Sequence, residues 1–221
     1  MIYVIMAGGY YDMFKGPKAL QVINGEALID RTIRLLKESG ISKDNIYISS
    51  DYLPFKDKAK LLIHDNNYRV EAGKLHGYWL DAFYPHFPEN TKVTYLFGDV
   101  YYSAYGIETI IKHPAAVNTL YGALIGKLKL WQEPLAYKVL DYKTFLKGIE
   151  KTKELQDAGL CNRTPLVWEL YRVLNSIDVN THILLYPSYI NIKDGGMDVD
   201  YPHEAGKVEA YFETIDNNSS I

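Results

Sequence analysis

The chain has 221 residues, 48% hydrophobic and 23% charged, ordinary values for one folded unit with a sizeable core. A net charge of −3 leaves no basic excess to track a duplex, which argues against a nucleic-acid partner but allows a local basic site for one small phosphorylated ligand. The single cysteine, Cys161, has no internal partner, the start MIYVIMAGG lacks a basic leader region, and no apolar run reaches a membrane span, so a cytoplasmic protein away from membranes is expected.

In chain order, Ile2–Met6 reads as a short buried strand feeding a loop that begins Ala7-Gly8-Gly9 and ends Gly16-Pro17-Lys18. From Leu28 the apolar residues Ile29, Ile33 and Leu36 recur at helical spacing, and Gly40 stands where a helix closes. Asn45–Asp51 and Leu61–His64 read as a second and a third strand. The spacing of Leu75, Tyr78, Trp79 and Ala82 predicts a helix over Lys74–Tyr84, and Val93–Phe97 predicts a fourth strand that stops at Gly98-Asp99. Further strands are expected at Leu135–Leu140 and Ile183–Tyr186, and helices near Tyr142–Glu150 and Pro165–Leu174. A last helix is expected from Pro202, where proline suits the first turn. Residues 216–221 read as a frayed tail, leaving 1–215 as one domain. Twenty tyrosines are unusual, and half-buried packing in strands is their simplest use.

This alternation predicts a single α/β domain, a Rossmann-like, mostly parallel (mixed) sheet flanked by helices. Such sheets bind ligands beyond the C-terminal ends of their strands, where Ala7-Gly8-Gly9 and Gly98-Asp99 both fall. Glycines there let a backbone approach phosphates, although a Gly-Gly after a strand is weak by itself and matches neither the P-loop nor the dinucleotide fingerprint. Taken alone, Lys18 reads as a solvated surface lysine. Held behind Pro17 at the end of a glycine loop, it is instead a positioned cation, able to neutralise charge on phosphates.

In combination these residues resemble a family. Tyr3-Val4-Ile5-Met6-Ala7-Gly8-Gly9, then Gly16-Pro17-Lys18-Ala19-Leu20, then Ile23-Asn24-Gly25-Glu26-Ala27-Leu28-Ile29 is similar to the N-terminal signature of the NTP-transferase superfamily. That superfamily includes sugar-phosphate and alcohol-phosphate nucleotidylyltransferases and molybdenum-cofactor guanylyltransferases. Leu96-Phe97-Gly98-Asp99 resembles its strand-terminal Gly-Asp, Glu71-Ala72-Gly73-Lys74 its base-contacting segment, and Met197-Asp198-Val199-Asp200-Tyr201-Pro202-His203-Glu204 the segment supplying a second aspartate.

The resemblance implies a nucleotide-diphospho-sugar transferase (GT-A-like) fold and a magnesium-dependent nucleotidylyltransferase. It would move a nucleoside monophosphate from an NTP, pyrimidine favoured, to a small phosphorylated acceptor such as a sugar phosphate or a phosphocholine-like alcohol phosphate. Met6, Ala7, Gly8, Gly9, Ala72, Gly73 and Asp99 would line the nucleotide site, Lys18 and Lys15 would serve the phosphates, and Asp99 and Asp200, aided by Asp198, would hold Mg2+. The family's loop arginine is missing: Lys15 is the candidate replacement, though lysine lacks the guanidinium fork, and Asp12 would repel phosphate if it faced the site. Helix capping is a competing role for Asp200. Two other functions stay open: a GT-A-type glycosyltransferase, which usually shows Asp-x-Asp where this chain has one aspartate, and an inactive nucleotide-binding homologue. The six histidines show no metal-ligand spacing, Cys161 has no evident base, and Asp51 and Lys193 read more simply as turn residues than as ligands for ribose or acceptor phosphate. Tyr101, Tyr102, Tyr105 and Tyr121 are candidates for stacking on a base or sugar.

Overall fold

A computed structural model describes residues 1–8, 10–11, 14–64, 68–71, 74–124 and 132–218. The chain runs through β1 (Ile2–Met6), α1 (Leu28–Glu38), β2 (Ile46–Ser49), β3 (Lys60–Leu62), β4 (Val93–Phe97), β5 (Val100–Tyr102) and α2 (Ala104–Lys112). It continues through β6 (Thr119–Leu124), β7 (Gln132–Val139), α3 (Tyr142–Asp157), α4 (Val167–Leu174), β8 (Tyr189–Asn191), β9 (Gly196–Asp198) and α5 (Ala205–Asn218). Seven strands make one sheet in the order β8-β6-β7-β4-β1-β2-β3. Every pairing in it is parallel except the two made by β7. Central strands covered on both faces read as continuous apolar runs. Val93–Phe97 is buried at all five positions, so β1 and β4 are legible without any alternation of polar residues.

Helices α1 and α2 pack together, as do α3 and α4. The cross-strand pairs put Tyr47, Val4, Tyr95, Tyr137, Leu120 and Tyr189 in one row, hence on one face. There Tyr95 stacks on Phe145 of α3 at 5.8 Å between ring centroids and meets Phe83 edge-on at 5.0 Å. Part of the tyrosine excess is therefore packing, as the sequence implied. Beside this core a second, smaller cluster of Ile23, Leu28, Tyr101, Val199, Val208 and Phe212 fastens α5 and the approach to it against β5 and α1. The ladder between β6 and β7 contains a bulge: Tyr121 opposes Ala136, but Gly122 opposes Pro134.

Two expected elements differ. Lys74–Tyr84 is not a helix: Lys74–His76 pairs antiparallel with Arg69–Glu71, and a one-and-a-third-turn 3-10 helix follows at Trp79–Ala82. The break is Gly77, whose φ of 68° lies in the left-handed region and stops a right-handed helix whatever the apolar spacing. Ile183–Tyr186 is not a strand: Ile183, Leu184, Leu185 and Tyr186 are exposed, and pairing with β6 starts only past Pro187, at Ser188 and Tyr189. Helix α5 runs through Asn218, into the segment expected to fray, while 219–221 lie outside the described residues. Among the described residues, no helix is long and apolar enough to cross a membrane.

Candidate active site

The ends of β1 and β4 touch. Gly98 donates its backbone N–H to the Met6 carbonyl at 2.9 Å, and a Cβ at Gly98 would lie 2.5 Å from that oxygen, so no other residue fits without parting the strands. On the other side, the Ala7 N–H donates to the Ser49 carbonyl at 2.9 Å and the Ser50 hydroxyl to the Ala7 carbonyl at 3.0 Å. Met6 and Ala7 are buried, so the groups they offer here are main-chain ones, and Gly8 is half-buried beside them. Gly9, Ala72 and Gly73 lie outside the described residues.

Asp99 follows Gly98 and starts the turn into β5, which pairs antiparallel with β9 so that Val100 opposes Asp198. The ladder is extended by the Val199 N–H, which donates to the Asp99 carbonyl at 2.9 Å. This pairing carries the late segment to the end of β4. Lys18, on the one-turn 3-10 helix Lys18–Leu20, completes the meeting: its Nζ donates to Asp99 Oδ2 at 3.0 Å and to Asp200 Oδ1 at 2.8 Å. The Lys18 side chain is 7% exposed, against 33% for Asp99 and 58% for Asp200. A surface lysine it is not. Burial alone would lower its pKa, but the charges and hydrogen bonds of Asp99 and Asp200 outweigh that and hold it well above the ordinary lysine value.

Capping does not explain Asp200. Glu204 does that work, its carboxylate accepting from the Asp200 and Tyr201 backbone N–H groups at 2.9 Å each, which leaves the Asp200 side chain for Lys18. Asp198 belongs to the same neighbourhood. Burial and then the charge of Glu133 push its carboxyl up, with Asp200 and Asp99 adding to the effect and Lys18 opposing it. Burial raises Glu133 too, against a hydrogen bond shared with Asp198. Lys18 thus pairs directly with Asp99 and Asp200, Asp198 feels its charge, and Glu133 interacts with the three aspartates. Glu133 was not singled out in the sequence. The available signal was an acid followed by proline at the head of the expected strand Leu135–Leu140.

Lys15 lies on an exposed turn with φ 53°, apart from the ion pairs that join Lys18 to Asp99 and Asp200. Three of the four stacking candidates, Tyr101, Tyr102 and Tyr121, are buried at 3% exposure or less and offer no open ring face. Tyr101 lies beneath the Arg31 guanidinium at 4.0 Å, and the Tyr102 hydroxyl donates to the Phe97 and Leu135 carbonyls at 3.1 and 2.5 Å, which fastens β5. Tyr105 alone of the four is exposed. Burial, then the charge of Glu169, raises the Cys161 thiol pKa, the opposite of what a nucleophile needs. Among the described residues, no three His, Cys, Asp or Glu side chains form a ready set of metal ligands.

No protein-family model matches the sequence, and no curated protein matches it. Solved structures do. The CTP:phosphocholine cytidylyltransferase of Streptococcus pneumoniae is 18% identical with a TM-score of 0.58, over 96% of this chain and 98% of that one. The chain shares the fold of that protein. A nucleoside-diphosphate-sugar pyrophosphorylase from Vibrio cholerae RC9 is 13% identical with a TM-score of 0.59, over 95% of this chain and all of its own. A putative glucose-1-phosphate thymidylyltransferase from Bacillus anthracis is 14% identical with a TM-score of 0.54, over 95% and 94%. Each of these likenesses covers at least 95% of this chain.

Proposed function

We propose that the protein is a nucleotidyltransferase which moves a nucleoside monophosphate from an NTP to a small phosphate monoester and releases pyrophosphate. The observation that carries this reading is the meeting of Lys18, Asp99 and Asp200 at the C-terminal ends of β1 and β4, where sheets of this kind receive ligands. The shared fold supports it, since the proteins of like structure include a cytidylyltransferase and a putative thymidylyltransferase. From these come the pyrimidine preference and the acceptor class, a phosphocholine-like or sugar phosphate. A cytoplasmic setting suits the single Cys161.

In this reading the main chain of Ala7 and Gly8 lies against the nucleotide, and Lys18 neutralises charge on the α-phosphate and its entering partner. An acceptor phosphate oxygen forms the new bond to the α-phosphorus as the bond to the bridging oxygen breaks, and pyrophosphate leaves with that electron pair. The nucleophile is already anionic, so positioning and electrostatics suffice without a covalent intermediate. The carboxylates fit a hard divalent cation: all their donors are oxygens, and magnesium is commonly held by one or two carboxylates plus phosphate oxygens and water. Asp99 and Asp200 would hold Mg2+, with Asp198 beside them. When bound, it would supply charge neutralisation at the triphosphate. Lys15, on its exposed turn, is the residue available to take the place of a loop arginine.

The test is pyrophosphate release over a panel of four NTPs and several phosphate monoesters, with and without Mg2+. Release that needs both an NTP and a phosphate monoester is expected. No release with any pair, together with no NTP binding by calorimetry at millimolar ligand, rejects the reading.

A further inference from the structure

The carboxylates that would hold the metal are not waiting empty-handed, for one ammonium already bridges them. Lys18 Nζ contacts Asp99 Oδ2 at 3.0 Å and Asp200 Oδ1 at 2.8 Å. A divalent ion joining the same two oxygens would sit about 2.1 Å from each, inside the space the ammonium now fills. Two cations cannot share that position, and like charges this close repel strongly. The lysine cannot simply be left without a carboxylate either, because its side chain is 7% exposed and a buried charge needs a partner.

We infer that Lys18 is an internal place-holder for the metal: it occupies the cation position of the nucleotide-free protein and gives it up when a divalent ion arrives. The inference rests on the reading of Asp99 and Asp200 as metal ligands. Its stem is suited to the exchange, since an ammonium on four rotatable methylenes reorients at little cost where a guanidinium fork would not. Its backbone need not move. Lys18–Leu20 is fixed behind Pro17 by the short pairing of Gly16–Pro17 with Tyr10–Tyr11, so the swing is confined to the side chain. The lysine released from the carboxylates is then the one available to phosphate. Metal and lysine would therefore compete in the resting protein and cooperate once a triphosphate offers Lys18 a second anion, which makes metal affinity depend on nucleotide.

Binding of Mn2+ to the nucleotide-free protein, followed by the EPR signal of the free ion, tests this in the wild type, K18M, K18R, D99N and D200N. K18M should bind at least about tenfold more tightly than the wild type, because the competing cation is gone, while K18R, whose guanidinium fork gives up the carboxylates less readily, should bind no more tightly than the wild type. D200N should lose the site. Equal or weaker binding by K18M, with binding still lost in D200N, overturns the place-holder and leaves the metal assignment intact. Unchanged binding in both D200N and D99N removes the metal from these carboxylates and overturns both. If K18M does not fold, the wild type decides alone: acetic anhydride labelling of Lys18, read by peptide mass spectrometry, should rise several-fold on adding Mg2+. Unchanged labelling overturns the exchange.

Discussion

Two lysines are buried at opposite ends of the central sheet. Lys18, at the C-terminal ends of β1 and β4, is 6% exposed and answered by two carboxylates. Lys138, near the end of β7, is 4% exposed and donates to the carbonyls of Ile111 and His113, the last of which closes α2, at 3.4 and 2.9 Å, with the Tyr121 ring 5.5 Å from its Nζ. Carboxylates repay the desolvation of an ammonium, and the Lys18 pKa rises. Carbonyls and a ring do so only in part, and burial pushes Lys138 down to about 8. Burial alone therefore does not mark a lysine as functional. What distinguishes Lys18 is an excess of negative charge around it, which structural satisfaction of one ammonium does not require.

The largest effect that would break this contrast is on turnover. K18A should lower kcat by about a hundredfold to a thousandfold, the usual scale for removing one donor from a developing oxyanion. D99N and D200N should do likewise, while K138M should leave kcat within about threefold; parity between K18A and K138M in steady-state assays would erase the distinction. K18A should also cost about 1–2 kcal/mol of stability by urea melts, since it strands two partly exposed carboxylates.

Next in size is the pH dependence set by Lys138. Its folded pKa lies below the unfolded value, so between about pH 8 and 10.5 the unfolded chain binds more protons and stability rises with pH. Relative to K138M, the wild type should gain up to about 3 kcal/mol across that window, and a flat difference in urea melts at pH 7, 8.5 and 10 would count against a buried charged lysine.

A smaller effect belongs to the raised acids. Glu133 and Asp198 bind protons more tightly folded than unfolded, so their contribution to stability falls as pH rises from the ordinary carboxylate range. E133Q should stabilise the metal-free protein by about 1 kcal/mol at pH 7 and by progressively less as pH falls towards 4. A gain that grows on acidification instead would reverse the sign. Smallest of all, Y105A should change neither kcat nor melting temperature measurably, Tyr105 being exposed at 62%.

The fold was most legible where local pattern and burial coincide. Ile2–Met6 and Val93–Phe97 are predominantly apolar runs, Thr94 the exception, because both faces of β1 and β4 are covered, and α1 shows its buried stripe at Leu28, Ile29, Ile33 and Leu36. It failed where one backbone angle overrules a pattern, at Gly77, and where pairing is long-range, as for α2, β6 and the strand after Pro187. Asp99, Asp200 and Lys18 were found by motif, and the structure brings them together. The burial of Lys18 was invisible, because it depends on partners far along the chain. Glu133 was missed for the same reason: its place comes from the pairing of β7, and nothing in its own neighbours states it.

That pairing has a phase. In a ladder without interruption, Gly122 would face Leu135 and Glu133 would fall opposite Leu124, one step out of its observed partnership with Ala123. A one-step change sends a side chain through the sheet to the far side. The bulge is thus a frame shift: it lets a single strand present Lys138 and Glu133 on a common face although they stand an odd number of positions apart. Regularising β6 and β7 would yield a tidier sheet in which an acid no longer meets Asp198. The irregularity is the means by which a structural strand also addresses the chemistry at its other end.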